Sequence, residues 1–156
     1  SPSKKVGIIG TKGTINSGVY SKKIKEKNAY TQVRTLATPL LAPMIEEGFI
    51  NDTISKTVIN NYLENPILSG IEKIILACTH YPLIENIVKE FYNNKVEVID
   101  SASQVASYVK KTLEKENLKS QQQAEYRFYV SDYTDSFEKS AKFFFNENIH
   151  LEEVIL

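Results

Sequence analysis

The sequence predicts an α/β protein, a mainly parallel sheet flanked by helices. Three observations point there. Short apolar runs at residues 6–9, 32–37, 73–77 and 96–99 have the length and content of buried parallel strands. Segments of helical periodicity separate them, and alternating strands and helices imply parallel pairing through right-handed crossovers. The first three strands each run into a turn built for reversal: Gly10-Thr11-Lys12-Gly13-Thr14, Thr38-Pro39, and Cys78-Thr79-His80-Tyr81-Pro82.

Taken in order, Val6-Gly7-Ile8-Ile9 reads as the first strand and residues 15–27 as a helix with a thin apolar face of Ile15, Val19 and Ile24, weakened at Gly18. Residues 32–37 are a second strand. Residues 40–47 are a short helix that presents Glu46 and Glu47 before Gly48. Asp52 is a natural N-cap for a helix with an Ile54, Val58, Ile59, Tyr62, Leu63 stripe. After a loop at 66–70, the third strand, 73–77, ends at the chain's one cysteine. Pro82 suits a first helical position, and Leu83, Ile84, Ile87, Val88 and Phe91 continue with helical spacing. A fourth strand at 96–99 leads to a Ser101/Gln104 capping box and a helix with Ala102, Val105, Ala106, Val109 and Leu113 inward. Residues 115–123, with Gln121-Gln122-Gln123, read as loop. Tyr126, Phe128 and Val130 alternate as a fifth strand. A last helix from Asp135 turns Phe137, Ala141, Phe144 and Phe145 inward, and residues 154–156 form a terminal strand.

Composition narrows the function. Hydrophobic content of 42% and charged content of 24% are those of an ordinary globular chain. No apolar run nears the ~20 residues of a membrane span. The net charge is zero with dispersed lysines, which argues against nucleic acid or an anionic membrane as partner. One cysteine cannot form an internal disulfide, so a reducing, cytoplasmic setting is expected. That cysteine and two distant histidines offer no metal-ligand spacing, and no cofactor is expected.

The chemistry concentrates at Cys78. It ends a strand and faces a helix start, where a thiolate is favoured and where open α/β sheets bind ligands. A buried, inert thiol is the plainer alternative. His80, two residues on, suits a proton shuttle or an ordinary capping role. Glu46 could orient a substrate ammonium or a histidine, or simply end a solvated helix. Thr11 and Thr14 could hold a small carboxylate, or belong to a common glycine-rich turn that matches neither nucleotide fingerprint.

Four segments in order then resemble the glutamate racemase family. Leu76-Ala77-Cys78-Thr79-His80-Tyr81-Pro82-Leu83 is similar to its second cysteine motif, and Gly7-Ile8-Ile9-Gly10-Thr11-Lys12-Gly13-Thr14-Ile15 with Ser17-Gly18 to its Thr-Gly-Thr turn. Pro39-Leu40-Leu41-Ala42-Pro43-Met44-Ile45-Glu46-Glu47-Gly48 resembles its Pro-Leu-Leu segment, and Val98-Ile99-Asp100-Ser101-Ala102 its strand returning to a first domain. The resemblance implies an aspartate/glutamate racemase-like fold and cofactor-independent interconversion of L- and D-glutamate, the latter feeding peptidoglycan synthesis. Histidine at position 80, where aspartate racemases usually carry glutamate, points to glutamate as substrate.

It also implies roles. Cys78 is one of two bases on opposite faces of the α-carbon, His80 and Glu46 assist it, and Thr79, His80, Thr11 and Thr14 contact substrate. The family's N-terminal part, with its Asp-Ser-Gly loop, Tyr-Gly pair and Cys-Asn-Thr motif, has no counterpart here. The start at Ser1-Pro2-Ser3 agrees with a C-terminal portion. Residues 1–99 are then expected to be the second domain, and 100–156 the segment completing the first, with little activity alone and self-association through uncovered apolar surface. Thr38 stands where many members have cysteine, with no catalytic consequence expected. Two other readings stay open: a thiol-dependent hydrolase or transferase using Cys78 and His80, and a non-catalytic dicarboxylate-binding domain.

Overall fold

The computed structural model describes residues 4–50, 52–120, 122–123, 125–145 and 149–155. Its residues divide into two compact units, Ser1–Tyr108 and Val109–Leu156. The first holds a four-stranded, wholly parallel sheet of order β2-β1-β3-β4, with β1 at Lys5–Gly10, β2 at Gln32–Ala37, β3 at Lys73–Ala77 and β4 at Glu97–Asp100. Helices α1 (Lys12–Asn16), α2 (Val19–Lys27), α3 (Leu41–Glu46), α4 (Thr53–Leu63) and α5 (Glu85–Phe91) supply the crossovers. The α/β architecture is the one the alternation of strands and helices implies.

Burial explains the sheet. Ile8, Ile9, Ile74 and Leu76 have no exposed surface, and neither do Ile59 of α4, Val88 of α5 and Ile84 just before α5. Burying each such side chain contributes roughly 1.5–3 kcal/mol. Register places Gly10 beside both Ala37 and Ala77, and Leu76 beside Asp100, so all four strands end at one level.

Several local expectations are corrected. The helix over 15–27 is two helices, because Gly18 adopts φ +65 at the break, a left-handed conformation that costs other residues about 1–2 kcal/mol. Asp52 does cap α4, accepting from Ser55 N, but the inward stripe is Ser55, Ile59 and Leu63, and Ile54 is 72% exposed. The cysteine motif opens first into a 3₁₀ turn, Tyr81–Ile84, and α5 follows. Residues 66–68 of the expected loop also form a 3₁₀ turn.

The largest correction concerns α6 (Ser101–Lys115), which buries no residue; Val105, Val109 and Leu113 are all exposed. Its cap is not the Ser101/Gln104 box. Asp100 instead accepts from Ala102 N at 3.0 Å and from Ser103 N at 2.7 Å. The amphipathic pattern was real, but periodicity reports which residues could be buried together, not what covers them.

The second unit contains β5 (Phe128–Val130), α7 (Asp135–Phe145) and β6 (Leu151–Glu153), with β5 and β6 paired in parallel apart from the main sheet. Phe128 and Phe145 meet edge to face at 4.9 Å, and Val130 and Ala141 are buried. Tyr126 lies outside the strand and is exposed, as are Phe137 and Phe145. The terminal strand lies at 151–153 instead of 154–156, although Val154 N still bonds Val130 O. Leu156 and Gln121 lie outside the described residues, as do Ser1, Pro2 and Ser3.

Candidate active site

Because the parallel strands end in register, the residues that follow them collect along one edge. Thr11 follows β1, Thr38 follows β2, Cys78 follows β3 and Ser101 follows β4. A cavity of about 530 Å³ opens there, lined by Thr11, Thr14, Glu46, Cys78, Thr79 and His80, with Tyr20, Ala42, Ala77 and Ser101 completing the wall. All six residues singled out from the sequence thus face one space.

Thr11 caps α1, accepting from Thr14 N, and the two hydroxyls lie 3.0 Å apart. Gly10 just before them leaves little room for a side chain: a Cβ there would stand 3.1 Å from the Ala77 carbonyl oxygen. Ser101 donates its hydroxyl to the Leu76 carbonyl and so ties the end of β4 to β3.

Cys78, Thr79, His80 and Tyr81 form a turn closed by a hydrogen bond from Tyr81 N to the Cys78 carbonyl at 3.2 Å. The turn brings Cys78 Sγ to 3.6 Å from His80 Nδ1, and Thr79 Oγ1 to 3.4 Å from the same nitrogen. On the other side of the ring, His80 Nε2 lies 2.8 Å from Glu46 Oε1, at the end of α3. A carboxylate at Nε2 favours the tautomer protonated there, which leaves Nδ1 able to accept a proton from the thiol. Half of the Glu46 side chain is open to water, so this contact adds little to stability and chiefly orients the ring.

The thiol departs from the sequence expectation. Burial pushes the Cys78 pKa above the usual value, and the Glu46 carboxylate adds to the rise; the backbone N–H groups of His80 and Tyr81 oppose it without overcoming it. The expected thiolate-favouring helix start is a 3₁₀ turn, too short to build the dipole of a long helix. Burial thus favours the thiol form of Cys78, and His80 Nδ1 is the acceptor beside it.

Sequence reasoning gave four residues no role at this edge. Tyr20 and Ser101 line the cavity, and only the level of the strand ends could have signalled Ser101. Thr38 and Tyr81 sit beneath it, both wholly buried. Tyr81 is pushed up to about 12, chiefly by burial, with Cys78 and Tyr62 adding to the rise and the hydrogen bond it shares with Thr38 opposing it. Among the described residues, no group of three His, Cys, Asp or Glu could hold a metal, and no helix is long and apolar enough to cross a membrane.

Residues 2–109 match the Asp/Glu/Hydantoin racemase family. Among curated proteins, the chain is similar to a glutamate racemase of Persephonella marina, 36% identical over 152 residues, and to one of Neisseria meningitidis, 34% identical over 153 residues. Each alignment covers 97% of this chain and 56% of the relative, so the chain spans little more than half the length of either. The fold is similar to that of Francisella tularensis glutamate racemase solved with D-glutamate, with a TM-score of 0.86 and 35% identity over 97% of this chain and 57% of that one. It is also similar to Bacillus anthracis glutamate racemase isoform RacE1, with a TM-score of 0.88 and 30% identity at the same coverage.

Proposed function

This chain belongs to the Asp/Glu/Hydantoin racemase family, and on that premise we propose that it carries one side of a glutamate racemase active site. The observation that supports this best is the seating of the His80 imidazole between Cys78 Sγ and Glu46 Oε1. In this reading Cys78 gives its proton to His80 Nδ1 and, as thiolate, takes the α-proton of glutamate from one face. Glu46 holds the ring and offsets the charge that forms on it. Thr79, Thr11 and Thr14 bind the substrate's polar groups and stabilise the charge that develops on them.

Racemisation needs a second acid on the opposite face. Cys78 is the only cysteine of the 156 residues, so the opposing thiol comes from outside them. Residues 1–99 then act as the second domain, residues 100–156 as the segment that completes the first, and the product D-glutamate serves peptidoglycan synthesis in the cytoplasm. The exposed Val105, Tyr108 and Val109 of α6 support self-association of the isolated chain, read out by light scattering.

Deuterium exchange at the α-carbon tests the reading. In deuterated water, with NMR detection, this chain should racemise neither enantiomer, and any exchange should favour one enantiomer and vanish in Cys78→Ala. Exchange that survives Cys78→Ala would contradict it.

A further inference from the structure

We propose that Tyr81 and Thr38 are positioning residues that hold the Cys78–His80 pair in register. Tyr81 is the last residue of the turn that carries the pair, and its side chain has no exposed surface. Its hydroxyl lies 2.6 Å from Thr38 Oγ1 and 3.2 Å from the Thr38 carbonyl oxygen. Thr38 Oγ1 donates in turn to the Gly10 carbonyl at 3.2 Å, which also accepts from Thr38 N at 2.8 Å. With the threonine proton spent on Gly10, the phenol is the donor to Thr38.

This chain of hydroxyls joins three strand ends. Gly10 closes β1 and precedes Thr11, Thr38 follows β2, and Tyr81 follows the cysteine turn of β3. A buried hydroxyl must keep its partner or bear the cost of desolvation, so the network permits one seating of the ring. The turn closes on Tyr81 N, so a fixed ring fixes the direction of His80 relative to Cys78. Neither Tyr81 nor Thr38 lines the cavity, so neither touches substrate and their effect is indirect.

The proposal rests on Cys78 and His80 as the reacting pair, but its test needs no glutamate turnover. The readout is iodoacetamide alkylation of the single cysteine across pH, in the full chain. The groups that bear on the thiol are His80, Glu46 and Tyr81, with Tyr62 acting on the Tyr81 phenol. His80→Asn should change the Cys78 rate at about pH 8 by roughly five-fold, the size of one hydrogen bond. In a Tyr81→Phe background the same step should shrink below about two-fold, a non-additive cycle. Thr38→Val should reproduce that loss and Thr38→Ser should restore the coupling; if Tyr81→Phe fails to fold, this pair decides alone. An additive cycle, a Thr38→Ser chain no better coupled than Thr38→Val, or a wild-type chain indifferent to His80→Asn would each overturn the proposal. Intact coupling without any α-proton exchange would instead sink the racemase reading and leave the positioning role standing.

Discussion

Asp100→Ala should unfasten α6 while leaving the sheet folded. The helix has no fully buried residue, so little core packing holds it. An isolated helix of about 15 residues is marginal in water, and its start is the costly step. Asp100 stabilises that start: it is 6% exposed, and each carboxylate oxygen accepts a backbone N–H, from Ala102 at 3.0 Å and Ser103 at 2.7 Å. Losing an acidic N-cap costs about 1–2 kcal/mol, equivalent to a factor of roughly 5–30 in the opening equilibrium. Amide hydrogen exchange in α6 should accelerate by that factor, with β1 and β3 unchanged.

The same contribution depends on pH. Burial alone would raise the Asp100 pKa, but the Ser103 hydroxyl and the N–H groups of Ser103 and Ala102 outweigh it and hold the carboxyl below its ordinary 3.8. The stabilisation is therefore complete above the unfolded value and fades as pH falls through the lower folded one. Unchanged α6 exchange in Asp100→Ala would refute the capping argument. Equal acceleration in β1 and β3 would show that the carboxylate supports the whole sheet instead.

Three further outcomes follow from the geometry. Glu46→Gln removes a negative charge that raises the Cys78 pKa, so the midpoint of the alkylation profile should move down. An upward move would mean that Glu46 acts mainly by orienting His80. Gly18→Ala forces a side chain into φ +65 with open space around it, so urea denaturation should show a loss of about 1 kcal/mol from backbone strain alone. Ile74→Ala empties a site with no exposed surface between β1 and β4, and should cost about 2–5 kcal/mol by the same assay.

Strands and site were legible in the sequence for one reason. Val6-Gly7-Ile8-Ile9 is buried on both faces, and Ile74-Ile75-Leu76 buries all but its middle residue, which is half-buried; such runs leave few alternatives. Once those strands are parallel and in register, their ends converge, so Thr11, Cys78 and His80 meet without long-range information. What escaped depended on partners. Val105, Val109 and Leu113 share an inward pattern yet stay exposed. Ile54 fits the apolar spacing of α4 yet faces outward, because Ser55 takes a buried place while bonding the Asp52 carbonyl. The rise in the Cys78 pKa reflects burial, which spacing does not report, and the Tyr81–Thr38 contact joins residues 43 positions apart.

We propose that Cys78 is one base of a two-base site. It is tested most directly by joining this chain to the N-terminal portion of the Persephonella marina relative and following L- and D-glutamate in deuterated water. The joined protein should racemise both enantiomers, lose racemisation with Cys78→Ala, and be matched by no racemisation from the chain alone. Racemisation that persists in the joined Cys78→Ala protein, or that this single-cysteine chain performs unaided, would contradict it.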